Sequence, residues 1–176
     1  MSFARINEIL PRPTTPVELP VNDDWSALEA RLGIVFPQDY KQFIQEYGSG
    51  RIANFLWILN PFSKNSNINL ENQLQIQRRV LADLSLYGES IPYGVFPVPG
   101  GVLPFGITDN GDMLYWLTLN KPEGWKIVVN ESRSPEWEVF DLGFAEFLLQ
   151  LIERRITCSA FPTNFPGHQV GFEVNH

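Results

Sequence analysis

The dipeptide Asn110-Gly111, set between the apolar runs Leu103–Ile107 and Met113–Trp116, constrains this chain more than any other pair of residues. Asn-Gly between two apolar runs is the strongest short-range signal for a hairpin, because both central positions of the favoured two-residue turn need positive φ. The runs on either side are therefore expected to be antiparallel neighbours. The same rhythm continues downstream. Lys121-Pro122-Glu123-Gly124 makes a second turn, and Trp125–Val129 reads as a third strand. Ser132–Pro135 breaks the chain again before a fourth strand at Trp137–Phe140. Short strands separated by turn residues at this spacing predict an antiparallel meander.

Helices flank the meander on both sides in sequence. Asp23 or Asp24 can cap a first helix that carries Trp25, Leu28 and Leu32 on one face and stops at Gly33. Pro37 suits the first position of a second, where its missing N–H would have no partner in any case. Tyr40, Phe43, Ile44 and Tyr47 then recur at helical spacing, so one aromatic stripe faces a core, and Gly48 supplies the left-handed residue that ends it. Ile52–Leu59 reads as a strand closed by Asn60-Pro61, and Leu70–Leu84 as a third helix with Arg78 and Arg79 outside. Ile91–Gly101 is a Pro/Gly-rich loop or broken edge. A last helix over Phe144–Arg155 places Arg154 and Arg155 favourably at its negative end. Residues 1–23 form a Pro-rich N-terminal arm, extended over 10–20, and residues 24–176 form one domain whose tail can add a short edge strand. The predicted fold class is α+β, a single domain with an antiparallel sheet meander flanked by helices.

Composition removes several functions. Thirteen basic residues face twenty acidic ones, a net charge of −7. This argues against a nucleic-acid ligand, which needs a basic patch to displace phosphate counterions, and suits a cationic partner steered by long-range attraction. One cysteine, Cys158, excludes an intrachain disulfide and a cysteine metal cage. No apolar run reaches the length of a membrane span, and Met1–Leu10 lacks the apolar core of a signal peptide, so a reducing cytoplasm is the expected home and no membrane partner is expected. Phosphate-binding glycine loops are absent, and Gly48-Ser49-Gly50 is no nucleophile elbow. The two histidines, His168 and His176, both lie in the tail, far from any catalytic pattern. Asp109-Asn110-Gly111-Asp112 lacks the alternating oxygens and distal Glu of a calcium loop. No cofactor, no metal and no turnover are expected.

Two blocks carry a resemblance. Leu32, Gly33, Pro37, Asp39, Tyr40, Phe43 and Gly48 form the first, and Gly111, Asp112, Tyr115 and Trp116 the second. With the closing Trp137-Glu138-Val139-Phe140 and Phe147-Leu148 segments, the chain resembles the SUKH superfamily of Smi/Knr type over roughly residues 24–152. Tyr47 departs from the pattern, since many relatives have Asn before the glycine. The resemblance implies a SUKH-like domain that acts by binding another protein. Bacterial members of that superfamily are immunity proteins that neutralise toxins, often nucleases, by stoichiometric binding. Fungal relatives instead regulate cell-wall synthesis, so a regulatory or scaffold domain for an endogenous pathway is the alternative. A nuclease cleft must be basic to hold phosphates, and loop carboxylates are the natural complement. The expected partner surface therefore comprises Glu89, Asp109, Asp112 and Glu123, with Glu131 and Glu136 behind them. Asp112 has a competing structural role, because Asp beside a hairpin turn can bond its own backbone. Tyr40, Phe43, Trp116 and Phe147 are expected in the core.

Overall fold

In the computed structural model, which describes residues 2–175, all seven strands join one antiparallel sheet. Met1 and His176 lie outside the described residues. The expected meander is present as β3 (Val102–Thr108), β4 (Met113–Leu117), β5 (Lys126–Asn130) and β6 (Trp137–Phe140). Three further strands extend it: β1 (Gly50–Ile52), β2 (Leu56–Ile58) and β7 (Phe172–Val174). The spatial order is β6-β5-β4-β3-β2-β1-β7, so the tail supplies the edge strand expected of it.

Alternation along β4 sends neighbouring side chains to opposite faces, and both faces are covered. Trp116 packs against Tyr40 of α3 (Gln38–Tyr47) and Phe144 of α5 (Phe144–Ile152), with ring centroids 4.7 and 6.2 Å away. Tyr115 points the other way, where its hydroxyl donates to Gln77 Oε1 of α4 (Leu70–Leu86) at 3.0 Å. Such a partner is what a buried phenol requires, and burial raises the Tyr115 pKa well above that of a free phenol. Tyr40, Phe43, Trp116 and Phe147 are all fully buried, as the helical and strand periodicities predict. The helix α2 (Asp24–Leu32) adds Leu28 to the core, and Trp25 meets Phe36, Tyr40 and Phe62 edge-on or tilted.

Several local expectations change. The Asn110-Gly111 turn is not the two-residue form. Gly111 has φ +86°, Asn110 does not have positive φ, and the Gly111 N–H donates to Thr108 O at 2.9 Å. Thr108 N–H then pairs with Asp112 O, giving a three-residue loop with a left-handed glycine, the next most common hairpin closure. The paired positive φ angles occur elsewhere, at Ala53 (+51°) and Asn54 (+54°). Those two residues split the expected Ile52–Leu59 strand into β1 and β2, joined by a turn that Phe55 N–H closes on Ile52 O. No glycine announces that turn.

The N-terminal segment also differs from a bare arm. Residues Ser2–Ile9 form a helix, α1, and Phe3, Ile6 and Leu10 are buried in the core. Tyr47 holds this segment by donating its hydroxyl to Leu10 O at 2.7 Å, so the residue that departs from the family pattern anchors a segment N-terminal to that pattern. Residues 10–20 form no helix but bend at several places, with Glu18 left-handed (φ +57°), rather than running fully extended, and they are pinned at Gly48. Val17 O accepts from Ser49 N–H, and a Cβ at Gly48 would lie 2.1 Å from that same oxygen. Gly48 is therefore required by the close approach of the arm as well as by its φ of +67°. Helix α5 ends at Ile152, before the expected Arg155. Arg154 is left-handed (φ +59°) and donates to Asn164 O and Gly167 O of the tail. Arg78, expected outside, is half-buried and donates to Phe96 O, tying the 91–101 loop to α4.

Candidate functional site

The six carboxylates expected at a partner surface fall into four situations. Asp112 is only 2% exposed. Its Oδ2 accepts from the Thr108 hydroxyl at 2.5 Å and its Oδ1 from Ser132 N–H at 3.0 Å, while its own N–H donates back to Thr108 Oγ1. A carboxylate so enclosed has no oxygen to offer a partner, and the competing structural reading holds for it. The reason is local chemistry: hairpin closure leaves Thr108 and Asp112 facing each other across the loop.

Asp109 is exposed but engaged. It accepts from Trp57 Nε1 at 2.7 Å and pairs with Arg51 at 3.3 Å. Arg51 in turn lies 5.1 Å from the Trp57 ring centroid and bonds Glu173 of β7, so Asp109 stitches the hairpin to the β1–β7 edge. Glu123 stands apart from the rest. It lies on the turn joining β4 to β5, whereas Asp112 and Glu131 sit at the opposite end of that pair. Beside it a cleft of about 250 Å³ is walled by Pro122, Trp125 and Asp39. Asp39 is already committed, since its Oδ2 accepts from Ala145 N–H in the first turn of α5 and its Oδ1 from Tyr40 N–H. That geometry gives the Asp of the Pro-x-Asp-Tyr motif its role: it joins the starts of two helices.

Glu89, Glu131 and Glu136 remain. None makes a side-chain hydrogen bond or ion pair among the described residues, and they gather on two facing loops. A groove of about 450 Å³ opens between the segment after α4 and the β5–β6 turn. Leu84, Ile91 and Trp137 give it an apolar floor, and Glu89 and Glu131 line its rim with Arg133. Glu136 follows on the same turn, held by its N–H to Ser134 Oγ and by its carbonyl, which accepts from Asn130 Nδ2. Trp137 is fixed from below, stacked on Tyr115 at 5.7 Å and met by Tyr93 at 5.5 Å. The floor is thus continuous with the core through Tyr115, while the rim carboxylates are free.

The sequence reading missed Leu84, Ile91, Arg133 and Trp137 as parts of one site. The spacing of carboxylates gave no hint of them, because loops about 45 residues apart in the chain come together only across the sheet. The tail offers no competing chemistry. Cys158 is buried, and burial pushes its pKa up to about 12, so the thiol stays protonated near neutrality. His168 is exposed. Among the described residues no group of three or more His, Cys, Asp or Glu side chains is placed to hold a metal ion, and no helix is long and apolar enough to cross a membrane.

One antiparallel sheet with helices on both faces defines a single α+β domain. Residues 22–148 match the family model SUKH_6, described as SMI1-KNR4 cell-wall, and the chain belongs to that family. Its membership points to protein–protein interaction. No curated protein and no solved structure matches the chain.

Proposed function

We propose that this protein is an immunity protein, which binds a toxin domain of basic, nuclease-like surface one to one and blocks it without turnover. The observation that carries the reading is the family match over residues 22–148, since the SUKH superfamily includes immunity proteins. Two physical features support it. The chain carries a net charge of −7, which accelerates encounter with a cationic protein. Two carboxylates without internal partners among the described residues, Glu89 and Glu131, rim a groove whose floor is apolar, the arrangement of a polar rim around a desolvated centre.

The test is genetic and then biochemical. The gene is expected beside one for a secreted toxin with a variable C-terminal domain. Cells expressing that toxin domain should survive only when this chain is co-expressed, and the two proteins should co-purify at one-to-one stoichiometry. Absence of protection against the neighbouring toxin domain would sink the reading. The words "cell-wall" in the family description favour one other role, a regulatory domain for an endogenous pathway. A stable complex with a resident enzyme, formed in cells that lack any toxin gene, would mark that role instead.

A further inference from the structure

Leu86 and Tyr87 lie between two groove-lining residues, Leu84 and Glu89, yet they face away from the protein. They are 83% and 89% exposed, the most exposed large apolar side chains among the described residues. They do not stand alone. Ile76 (38% exposed) and Val80 (41% exposed) fall on the same outward line of α4 as Tyr87, at helical spacing. An apolar stripe along a helix normally faces a core, and this helix already buries a different one through Leu70, Leu74 and Leu81. The second stripe therefore faces outward, partly covered at Ile76 and Val80 and open at Tyr87.

Charge at the same end of α4 is equally one-sided. A helix C-terminus carries partial negative charge and is normally balanced by Lys, Arg or His. The last turn of α4 has no basic residue, and Asp83 sits there instead, followed by Glu89. Across the groove stands Glu131, and Glu136 follows on the same turn. Against these four carboxylates the neighbourhood offers Arg79 and Arg133, together with Arg78, whose guanidinium is held by Phe96 O. Helix dipole and side chains thus sum to a negative field around an exposed apolar pair.

We propose that the C-terminal half of α4 and the adjoining groove form a docking surface for a basic protein segment that inserts apolar side chains against Leu86 and Tyr87. The carboxylates draw the partner in, and the apolar pair retains it. A second copy of this chain does not fit the same face, because each copy would bring the same carboxylates and a net charge of −7 against them. The proposal refines the binding role proposed above but does not need the partner to be a toxin.

A random 12-residue peptide library displayed on phage serves as the probe, selected against the full chain. Enriched sequences should combine Lys or Arg with Leu, Phe or Trp. Synthesised, they should lose at least tenfold in affinity for the Leu86→Ser/Tyr87→Ser variant, at unchanged Tm. The Glu89→Lys/Glu131→Lys/Glu136→Lys variant should instead flatten the salt dependence of binding. Enriched peptides without basic residues, undiminished binding to the serine variant, or no enrichment over an unrelated acidic protein would each overturn the docking surface. So would a sedimenting dimer that the serine variant abolishes, since the occupant would then be a second copy. The toxin reading fails separately: absence of cell protection with peptide docking intact removes the toxin and leaves the docking surface standing.

Discussion

Two turns meet at one end of the β4–β5 pair and treat their carboxylates in opposite ways. In the 108–112 loop, Asp112 is enclosed by Thr108 and Ser132, and Asp109 is held by Trp57 and Arg51. In the neighbouring 131–136 turn, Glu131 and Glu136 have no internal partner, although Ser132 ties the two turns together through Asp112 Oδ1 and Asn110 O. The donors explain the contrast: Thr108, Ser132, Trp57 and Arg51 are brought to the two Asp carboxylates, whereas Glu131 and Glu136 extend from an open turn with no donor brought to them. A loop carboxylate becomes available for recognition only when local backbone has not already claimed it.

Substitution separates the two classes. The largest effect is expected for Asp112→Ala, which strips the Thr108 hydroxyl and the Ser132 N–H of their acceptor in a buried place. A loss of about 3 kcal/mol in urea unfolding is expected, and a loss under about 0.5 kcal/mol would erase the distinction between engaged and free carboxylates.

Glu18 extends the engaged class to the arm. Burial raises its pKa, but the neighbouring Ser49 and Ser63 hydroxyls and the hydrogen bond from the Lys64 N–H outweigh burial and leave it below the ordinary 4.5. A carboxylate with a lowered folded pKa stabilises the fold above its unfolded pKa, and that contribution is lost as pH falls through the folded value. Glu18→Gln should therefore lose about 1 kcal/mol at pH 7. The gap to the parent should close on acidification below 4.5. A gap that widened in acid would contradict the assignment.

Asp109→Ala tests the intermediate case. Its ion pair with Arg51 is exposed, so a destabilisation of about 0.5–1 kcal/mol is expected, mostly from the Trp57 hydrogen bond. Tryptophan emission should report the freed indole.

Glu89→Lys with Glu136→Lys should leave stability within about 0.5 kcal/mol of the parent. Association with a basic partner should slow in stopped-flow measurements, and its dependence on salt should weaken. An unchanged on-rate would return these glutamates to the class of ordinary solvated surface.

Much of the fold was legible because it rests on near-neighbour chemistry. The aromatic stripe Tyr40, Phe43, Ile44 and Tyr47 specifies a helix face by spacing alone, and the turns at 109–112 and 121–124 mark the meander. The β1–β2 turn was not legible, since Ala53-Asn54 carries no glycine and adopts positive φ only because the strands on either side are held in the sheet. Helix α1 was equally hidden. Eight residues are too few to be helical alone, and α1 exists because Ile6 and Leu10 find the core and Tyr47 holds the chain behind them.

By itself the sequence determined an acidic α+β domain, its central meander, its aromatic core and its kinship, all of which depend on periodicity, turn residues and composition. Tertiary structure alone decided which carboxylates are available. Whether an acid is free depends on which N–H and hydroxyl groups the folded chain brings within about 3 Å of it. For Asp112, Asp109 and Glu18 those donors come from other loops and strands. The same long-range assembly set Glu89 opposite Glu131 across a groove and left Leu86 and Tyr87 facing water.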